Sequence, residues 1–392
     1  MWKTSLRRDG ALAVVILTAM LAGAACGSDR PSSRGTQSST TSSGVASASA
    51  VAPLPGRPIP TAPRDRSGGS PRRLARLQLR SIDNMHLSRD TMCYQVSAAT
   101  IEAVVAAEAR AHADTATVDM PYDDASSYGK CVPRDPLAYE RQWITTIRRH
   151  GMHVWFRQQW LTWQGNQGAP KLTPTTTPSV RLGEDPAAVL DGRDTTSYLA
   201  RTYQWILAHR DFFASGDIFT PESEPANAGI VPYCQSPCMF ADHAVADRWL
   251  ADSMAVDRSA FATIGVQVGV GYWGLACTPN VASRATAHAM GVFVTDCYYR
   301  SPAVLAAKLT ALYEAYGVPI ILGEWGDIWD QGGETAMTGA IDDICAGLTR
   351  LPFVVGVNYW QGYGESKTGE GIIDRTTLRL NPAGERVRYW FS

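Results

Sequence analysis

Two stretches of the sequence are candidates for chemistry, because each places a carboxylate where an apolar run ends. Residues 217–226 read "DIFTPESEPA" and carry Glu222 and Glu224, whereas residues 319–326 read "PIILGEWG" and carry Glu324. Charged side chains are seldom left in apolar surroundings unless they are paired or used. Two carboxylates held about 5–5.5 Å apart can cleave a glycosidic bond with retention, one as nucleophile and one as proton donor.

The elements that must position these glutamates alternate regularly between strand and helix. Eight apolar runs are predicted as strands, and helical patterns separate most of them. The predicted strands are 76–85, 114–120, 152–158, 217–225, 266–273, 291–299, 319–326 and 353–360. This alternation predicts an α/β fold, a parallel (β/α)₈ TIM barrel in a single catalytic domain. A doubly wound open sheet is disfavoured, since eight units are unusual there and no glycine-rich loop follows the first strand.

In such a barrel, the carboxyl ends of the strands carry the active site. The residues predicted at these ends are Asp83, Asp119, Arg157, Glu222, Glu224, Tyr272, Asp296, Tyr298, Glu324 and Trp360. Side chains two apart share a face, so Asp296 is expected beside Tyr298. Arg157 and the Tyr298 hydroxyl are expected to stabilise an ionised Glu324. A single acid at a strand end is more often a helix cap or half of a loop ion pair, so the argument depends on the joint pattern.

The acid at the fourth strand must instead hold a proton near neutral pH. Glu222 lies two residues before Glu224, and like-charge repulsion between them is expected to raise the pKa of Glu224. The residues alone leave open which of the two is the proton donor.

Tryptophans are concentrated at the predicted strand ends, which favours a sugar ligand because flat rings stack on the C–H faces of sugars. Seven of the twelve lie on or just past these ends. They are Trp155, Trp160, Trp163, Trp273, Trp325, Trp329 and Trp360. Packing under long loops is the alternative explanation for any one of them. The predicted substrate-binding residues are Arg157, Glu222, Tyr272, Trp273, Asp296, Tyr298, Trp325 and Trp360.

The segments "SEPAN" (223–227) and "ILGEWG" (321–326) resemble motifs of the retaining glycoside hydrolases with (β/α)₈ barrels, the cellulase-like and mannanase-like enzymes of family 5. The resemblance implies cleavage of β-glycosidic bonds, with Glu324 as nucleophile and Glu224 as acid/base. It also implies that Tyr298 contacts the nucleophile and that the ring of Trp360 forms the base of the sugar-binding site. The resemblance extends to the order of strands in the whole domain, but specific sequence motifs match only at strands four, seven and eight.

One position departs from the family pattern. Ser223 stands where an asparagine usually precedes the acid/base and contacts the sugar 2-hydroxyl. Glu222 is a candidate replacement for that contact, and it is also an alternative to Glu224 as the acid. The departure leaves a second function open, a TIM-barrel lipoprotein that binds glycan without cleaving it.

Other function classes have little support in the sequence. No two histidines are spaced as metal ligands and no Gly-x-Ser-x-Gly turn is present, so no metal or cofactor is expected. The net charge is −1 and no long basic run follows residue 73, which argues against a nucleic-acid partner. No pattern suggests a dimer, and a monomer with a carbohydrate partner is expected.

The N-terminal region predicts export. Residues 1–25 are predicted as a signal peptide, since basic residues precede fifteen apolar ones at 11–25. The segment "LAGAAC" resembles a bacterial lipobox, which predicts lipidation of Cys26 and an outward-facing membrane lipoprotein; simple secretion is the alternative. Residues 26–73, rich in Ser, Thr and Pro, are predicted as a disordered tether, and 74–392 as the barrel domain.

Seven cysteines follow Cys26, and export permits disulfides between them. Spacing suggests three pairs, although spacing alone does not determine connectivity. The pairs are Cys93–Cys131, Cys234–Cys238 and Cys277–Cys297. Cys345 would then be left over within a helical pattern, as a small buried residue.

Overall fold

The computed structural model describes residues 74–89, 94–121, 134–159, 185–222, 243–279, 281–299, 301–326, 333–363 and 371–392. All of them lie within one compact unit, Pro55–Ser392. Several predictions fall outside the described residues. These concern the signal peptide, Cys26, the tether, Ser223, Glu224, the pairs Cys93–Cys131 and Cys234–Cys238, and the tryptophans 160, 163 and 329.

The described strands form one parallel sheet that curls into the predicted (β/α)₈ barrel. They are β1 Leu79–Ile82, β2 Thr115–Pro121, β3 His153–Gln159, β4 Ile218–Thr220, β5 Gly269–Val270, β6 Leu275–Ala276, β7 Phe293–Asp296, β8 Ile320–Trp325 and β9 Val354–Tyr359. Their order in the sheet is β5-β4-β3-β2-β1-β9-β8-β7-β6, and each neighbouring pair is parallel. The two ends of this order, β5 and β6, are consecutive in the chain, so residues 271–274 connect them directly.

The fifth predicted strand, 266–273, is therefore wrong in its extent. Within it only β5, Gly269–Val270, forms and pairs with β4, whereas β6 begins beyond its end, at Leu275, and pairs with β7. Gly271 lies between them with a φ of +95°, a left-handed conformation that a continuous strand does not adopt. Tyr272 and Trp273 consequently lie between two strands rather than at a strand end.

The described helices alternate with the strands. They are α1 Met85–Ser88, α2 Ala98–Arg110, α3 Pro136–Arg149, α4 Pro186–Leu190, α5 Tyr198–Ala208, α6 His243–Ile264, α7 Arg284–Met290, α8 Pro302–Tyr316, α9 Gly333–Leu348 and α10 Pro382–Phe391. Helix α5 ends at Ala208, and a 3₁₀ turn follows at Arg210–Phe212. Sequence analysis missed α10, α1 and α4.

Local sequence explains where these helices begin and end, as α8 illustrates. The Ser301 hydroxyl accepts a hydrogen bond from the backbone N–H of Val304, which satisfies one of the free donors of the first turn. Pro302 follows at the first helical position, where its missing N–H costs nothing. Gly317 ends the helix with a φ of +70°, a conformation that glycine adopts without strain.

Two separate apolar clusters form the core. The larger one fills the layer between the strands and the surrounding helices and includes Trp143, Phe156 and Phe219. The smaller one, here called the interior cluster, consists of side chains that point into the barrel. Its buried members are Leu79, Trp155, Ile218, Val294 and Ile321. The two-residue repeat of a strand separates the clusters, since Trp155 points inward and Phe156 outward.

The described cysteines follow the prediction. Cys277 and Cys297 form a disulfide with a Cα–Cα separation of 5.3 Å, which joins the chain just after β6 to the chain just after β7. Cys345 is a buried free thiol within α9. Among the helices of the described segments, none is long and apolar enough to cross a membrane.

Candidate active site

Glu324 lies near the carboxyl end of β8, and a β-bulge turns its side chain into the barrel. Leu322 pairs with Val357 and Trp325 with Tyr359, so Gly323 and Glu324 together face one residue of β9. The inward side chains of β8 are therefore Ile321 and then Glu324, while Trp325 packs outward. Such a bulge re-aims a side chain without ending the strand. Strict alternation would have directed Glu324 towards the helices.

Glycine is required at position 323 because neighbouring side chains occupy the space. A β-carbon there would lie 2.7 Å from Asp296 Oδ1 and 2.8 Å from Val294 Cγ1. A β-carbon at Gly274 would likewise overlap the Asp296 carboxylate. Two glycines on the flanking segments thus make room for Asp296, which is half-buried near the barrel mouth.

The Glu324 carboxylate is held by two groups that approach from other strands. Arg157, on β3, forms an ion pair with Oε1, and the Tyr298 hydroxyl donates a hydrogen bond of 2.5 Å to Oε2. The side chains of Arg157 and Glu324 are only 4% and 6% exposed, so solvent screens this ion pair weakly. The structure thus brings together the three residues that the sequence analysis expected to meet.

Asp83 extends this arrangement through the same guanidinium nitrogen of Arg157. Its Oδ2 accepts hydrogen bonds from Arg157 Nη1 at 2.8 Å and from Asn358 Nδ2 at 3.3 Å. We call Asp83, Arg157, Tyr298, Glu324 and Asn358 the ionic network. Sequence analysis placed Asp83 at a strand end but missed its role, and it missed Asn358 altogether. The two-residue spacing from Asn358 to Trp360 along β9 was the available indication.

The charge balance around Arg157 is strongly anionic. Burial disfavours its charged form, but Glu324, Asp83, Asp119 and Asp296 overcome this and hold the pKa of the guanidinium well above its usual range. Arg157 therefore remains a fixed positive charge at any pH at which the protein is folded.

A second ion pair lies in the same region. Asp119 is buried near the carboxyl end of β2, and Arg89 Nη1 lies 3.7 Å from its Oδ1. Both side chains are at most 6% exposed. Ser88 fixes the backbone of Asp119, because its hydroxyl bonds both the N–H and the carbonyl of that residue.

Trp360 completes an aromatic wall near Glu324. The Tyr298 ring meets it edge-on at 6.0 Å, and the His86 ring meets it at 5.5 Å. All three rings are half-buried, so parts of them remain accessible. The peptide bond between Trp360 and Gln361 is cis. His86 was not among the predicted site residues.

The other predicted aromatic residues lie deeper. Trp273 is 0% exposed and Trp325 is 1% exposed, and both belong to the layer between strands and helices. Tyr272 packs against the interior cluster, with its ring 6.0 Å from that of Trp155. Their assignment to substrate binding stays a prediction.

Glu222 lies just beyond β4 and is fully buried. Its Oε2 accepts a 2.8 Å hydrogen bond from the hydroxyl of Tyr198, at the start of α5, and the same hydroxyl bonds the carbonyl of Pro221 at 2.7 Å. This contact ties the chain after β4 to a helix of the outer layer. Glu224 lies outside the described residues, so its separation from Glu324 stays a prediction.

Within the described segments, no group of three or more His, Cys, Asp or Glu side chains is arranged to hold a metal ion. The chemistry that the described residues offer is that of a carboxylate fixed by a guanidinium and a phenol. Such a carboxylate can attack an electrophilic carbon or stabilise a positive charge.

Comparison with known proteins supports the fold. No protein-family model and no curated protein matches the sequence. Among solved structures, an exo-β-1,4-mannosidase from Opitutaceae bacterium strain TAV5 matches with a TM-score of 0.59 at 12% identity. The match covers 80% of this chain but 59% of the mannosidase, so the chain spans less than two thirds of that enzyme.

Two other solved structures match over nearly their whole length. A xyloglucan-specific β-1,4-glucanase of glycoside hydrolase family 5, from a ruminal metagenomic library, has a TM-score of 0.54 at 13% identity, covering 81% of this chain and 95% of its own. A family 5 xyloglucanase from Paenibacillus pabuli has a TM-score of 0.53 at 10% identity, covering 81% and 98%. The expected resemblance is thus confirmed for the fold, and the chain is similar in fold to the (β/α)₈ barrels of family 5 glycoside hydrolases.

Proposed function

We propose that this protein is a glycoside hydrolase that cleaves β-glycosidic bonds of a poly- or oligosaccharide with retention. The observation that carries the proposal is the buried Glu324 carboxylate, paired with Arg157 and hydrogen-bonded by Tyr298 beside the half-exposed ring of Trp360. The similarity in fold to several glycoside hydrolases supports it.

In the proposed mechanism, Glu324 attacks the anomeric carbon and forms a glycosyl-enzyme intermediate. Glu224 protonates the leaving oxygen and then removes a proton from the water that hydrolyses the intermediate. Arg157 and Tyr298 hold the Glu324 carboxylate oriented for attack, and Trp360 offers a ring face to the sugar. The reaction is proposed to need no cofactor.

Export is part of the proposal. We propose that residues 1–25 direct secretion and that lipidated Cys26 anchors the protein to the outer face of the membrane, with 26–73 as tether. The Cys277–Cys297 disulfide is in keeping with an oxidising location. The glycan substrate would then lie outside the cell.

The nucleophile can be tested by chemical rescue. The full chain is incubated with a panel of aryl β-glycosides and polysaccharides, beside a Glu324→Ala variant. Turnover in the parent, loss in the variant and recovery with azide as an α-glycosyl azide would support both the role of Glu324 and retention. Inversion of the first product, followed by NMR, contradicts retention. Binding of a glycan without turnover in either protein supports the non-catalytic alternative.

A leaving-group comparison separates Glu224 from Glu222. Loss of the acid/base should slow aryl glycosides with poor leaving groups far more than those with good ones, because only the former need a proton. We expect this dependence in Glu224→Gln and not in Glu222→Gln. The opposite result would assign the acid to Glu222.

A further inference from the structure

Asp83 is 0% exposed and lies just beyond the end of β1. Its backbone is fixed to the end of β9, since its N–H donates to the carbonyl of Tyr359 at 2.9 Å and its carbonyl accepts from the N–H of Gly362 at 2.9 Å. The side chain is equally constrained. Oδ1 accepts a 2.7 Å hydrogen bond from the N–H of Met85, and Oδ2 faces Arg157 and Asn358.

Arg157 lies between two carboxylates, and the same nitrogen, Nη1, contacts Asp83 and Glu324. A long flexible side chain such as arginine has many rotamers, and an ion pair to Glu324 alone would restrain it less than contacts to two fixed carboxylates. The contact with Asp83 gives the same nitrogen a second fixed partner. Because Asp83 is itself held by Met85 and Asn358, the restraint extends to α1 and β9.

We propose that Asp83 is a positioning residue that holds Arg157 against Glu324, an inference that rests on the proposed glycosidase function. Asp83 does not touch the substrate, so it acts through Arg157. Groups that lock the rotamer of a functional side chain set how accurately that side chain is placed. A misplacement of about 1 Å can lower a rate by about 100-fold.

The substitution Asp83→Asn tests this directly. The amide oxygen can keep the hydrogen bond from the Met85 N–H, while the amide nitrogen replaces Oδ2 and faces two donors. We expect kcat to fall about 100-fold with KM nearly unchanged, because ground-state binding of the sugar does not involve Asp83. Asp114→Asn is the matched control. Asp114 Oδ2 pairs with Arg80 at 3.0 Å, before the start of β2 and away from the ionic network, and this change should leave kcat unaltered.

A double-mutant cycle with Arg157→Gln distinguishes positioning from a general structural role. If Asp83 acts only through Arg157, adding Asp83→Asn to Arg157→Gln costs no further activity. Losses that multiply in the double variant would overturn the inference. Should Asp83→Asn fail to fold, Asn358→Ala removes one donor to Oδ2 and is expected to lower kcat about tenfold; an unchanged kcat would also overturn it.

A measurement independent of activity separates this inference from the proposed function. The guanidinium N–H signals of Arg157, assigned by their loss in Arg157→Gln, should show slow rotation in the parent protein. Asp83→Asn should accelerate that rotation and Asp114→Asn should not. If Arg157 is equally restrained in Asp83→Asn, the inference fails even in an active enzyme. If no glycoside is cleaved but Arg157 is released, the proposed function fails while the positioning role of Asp83 is upheld.

Discussion

The barrel interior contains two successive groups of side chains that are held in different ways. The interior cluster consists of apolar residues from five strands, and contact between their surfaces stabilises it. The ionic network begins two or three residues further along β3 and β8, where Trp155 is followed by Arg157 and Ile321 by Glu324. There, each charge is held by a partner on another strand. When a side chain of the interior cluster is shortened, its apolar neighbours can shift to fill part of the space. When a side chain of the ionic network is changed, a buried charge loses one of its partners.

This difference indicates which substitutions should affect activity and which should affect stability. A buried ion pair contributes little net stability, because desolvation of both charges offsets their attraction. Apolar burial, by contrast, stabilises the fold in proportion to the area removed from water. We therefore expect changes in the ionic network that leave Arg157 with one of its two carboxylate partners to alter catalysis more than folding, and changes in the interior cluster to do the reverse.

The largest effect is expected for Glu324→Gln. The amide keeps the shape but cannot act as a nucleophile, so kcat should fall roughly 10⁴-fold or more. The free energy of unfolding should change little, since Arg157 retains its contact with Asp83. Steady-state kinetics with an aryl β-glycoside and urea unfolding measure the two quantities. A large loss of stability with retained turnover would contradict the expectation that the ionic network serves catalysis more than folding.

A buried acid behind the network predicts a pH dependence of stability. Burial, together with the nearby Asp83 charge, raises the pKa of Glu108 from an ordinary 4.5 to about 8, against a hydrogen bond from Asn84 that lowers it. The folded state therefore keeps a proton that the unfolded chain releases, and the stabilisation is complete below pH 4.5 and lost as the pH rises to about 8.

The variant Glu108→Gln removes this titration while keeping an acceptor for Asn84. Relative to the variant, the parent should lose about 1.4 kcal/mol of stability for each pH unit between these limits. Urea unfolding of both proteins at pH 5, 6.5 and 8 measures the difference. A difference that stays constant with pH would mean that Glu108 is ionised in the folded protein.

In the interior cluster, Ile321→Ala should destabilise the protein by about 2–4 kcal/mol, since it leaves a cavity among buried side chains. Ile321 lies three residues before Glu324 on the same strand, which makes it a close spatial control. We expect kcat per folded molecule to remain near that of the parent, measured well below the unfolding temperature. A loss of kcat comparable to that of Glu324→Gln would show that the two groups are not separable.

The smallest effect is expected for Tyr298→Phe. The ring and its edge contact with Trp360 are kept, but the 2.5 Å hydrogen bond to Glu324 is lost. One hydrogen bond to a charged group corresponds to about a tenfold loss in kcat. Stability should be unchanged within error. A loss close to that of Glu324→Gln would give the phenol a direct chemical role instead of a supporting one.

Sequence reasoning located the strands that matter and the meeting of Arg157, Tyr298 and Glu324. It could not locate the bulge, because alternation was read as uninterrupted along each strand. Nor could it separate the buried Trp325 from the half-exposed Trp360. Both faces of a barrel strand are buried, one against helices and one inside, so hydrophobicity alone does not reveal which way a side chain points.

The fifth strand and the Asp83–Asn358 contact illustrate two other limits. A glycine with positive φ ends a strand without changing the apolar character of the sequence. The hydrophobic pattern therefore did not indicate that β5 ends before Gly271. Asp83 and Asn358 are 275 residues apart, and only the closure of β9 against β1 brings them together. Contacts of this kind depend on the registers of several strands at once.

The extra residue in β8 has a consequence for how this protein tolerates change in length. The inward direction of Glu324 requires either the bulge or a strand shorter by Gly323: if Gly323 stayed and the bulge straightened, uninterrupted alternation would turn the carboxylate of Glu324 towards the helices and bring the indole of Trp325 inside. A barrel could still close, but it would present a ring where the proposed reaction needs an anion. At this point of the chain, the number of residues matters as much as their identity.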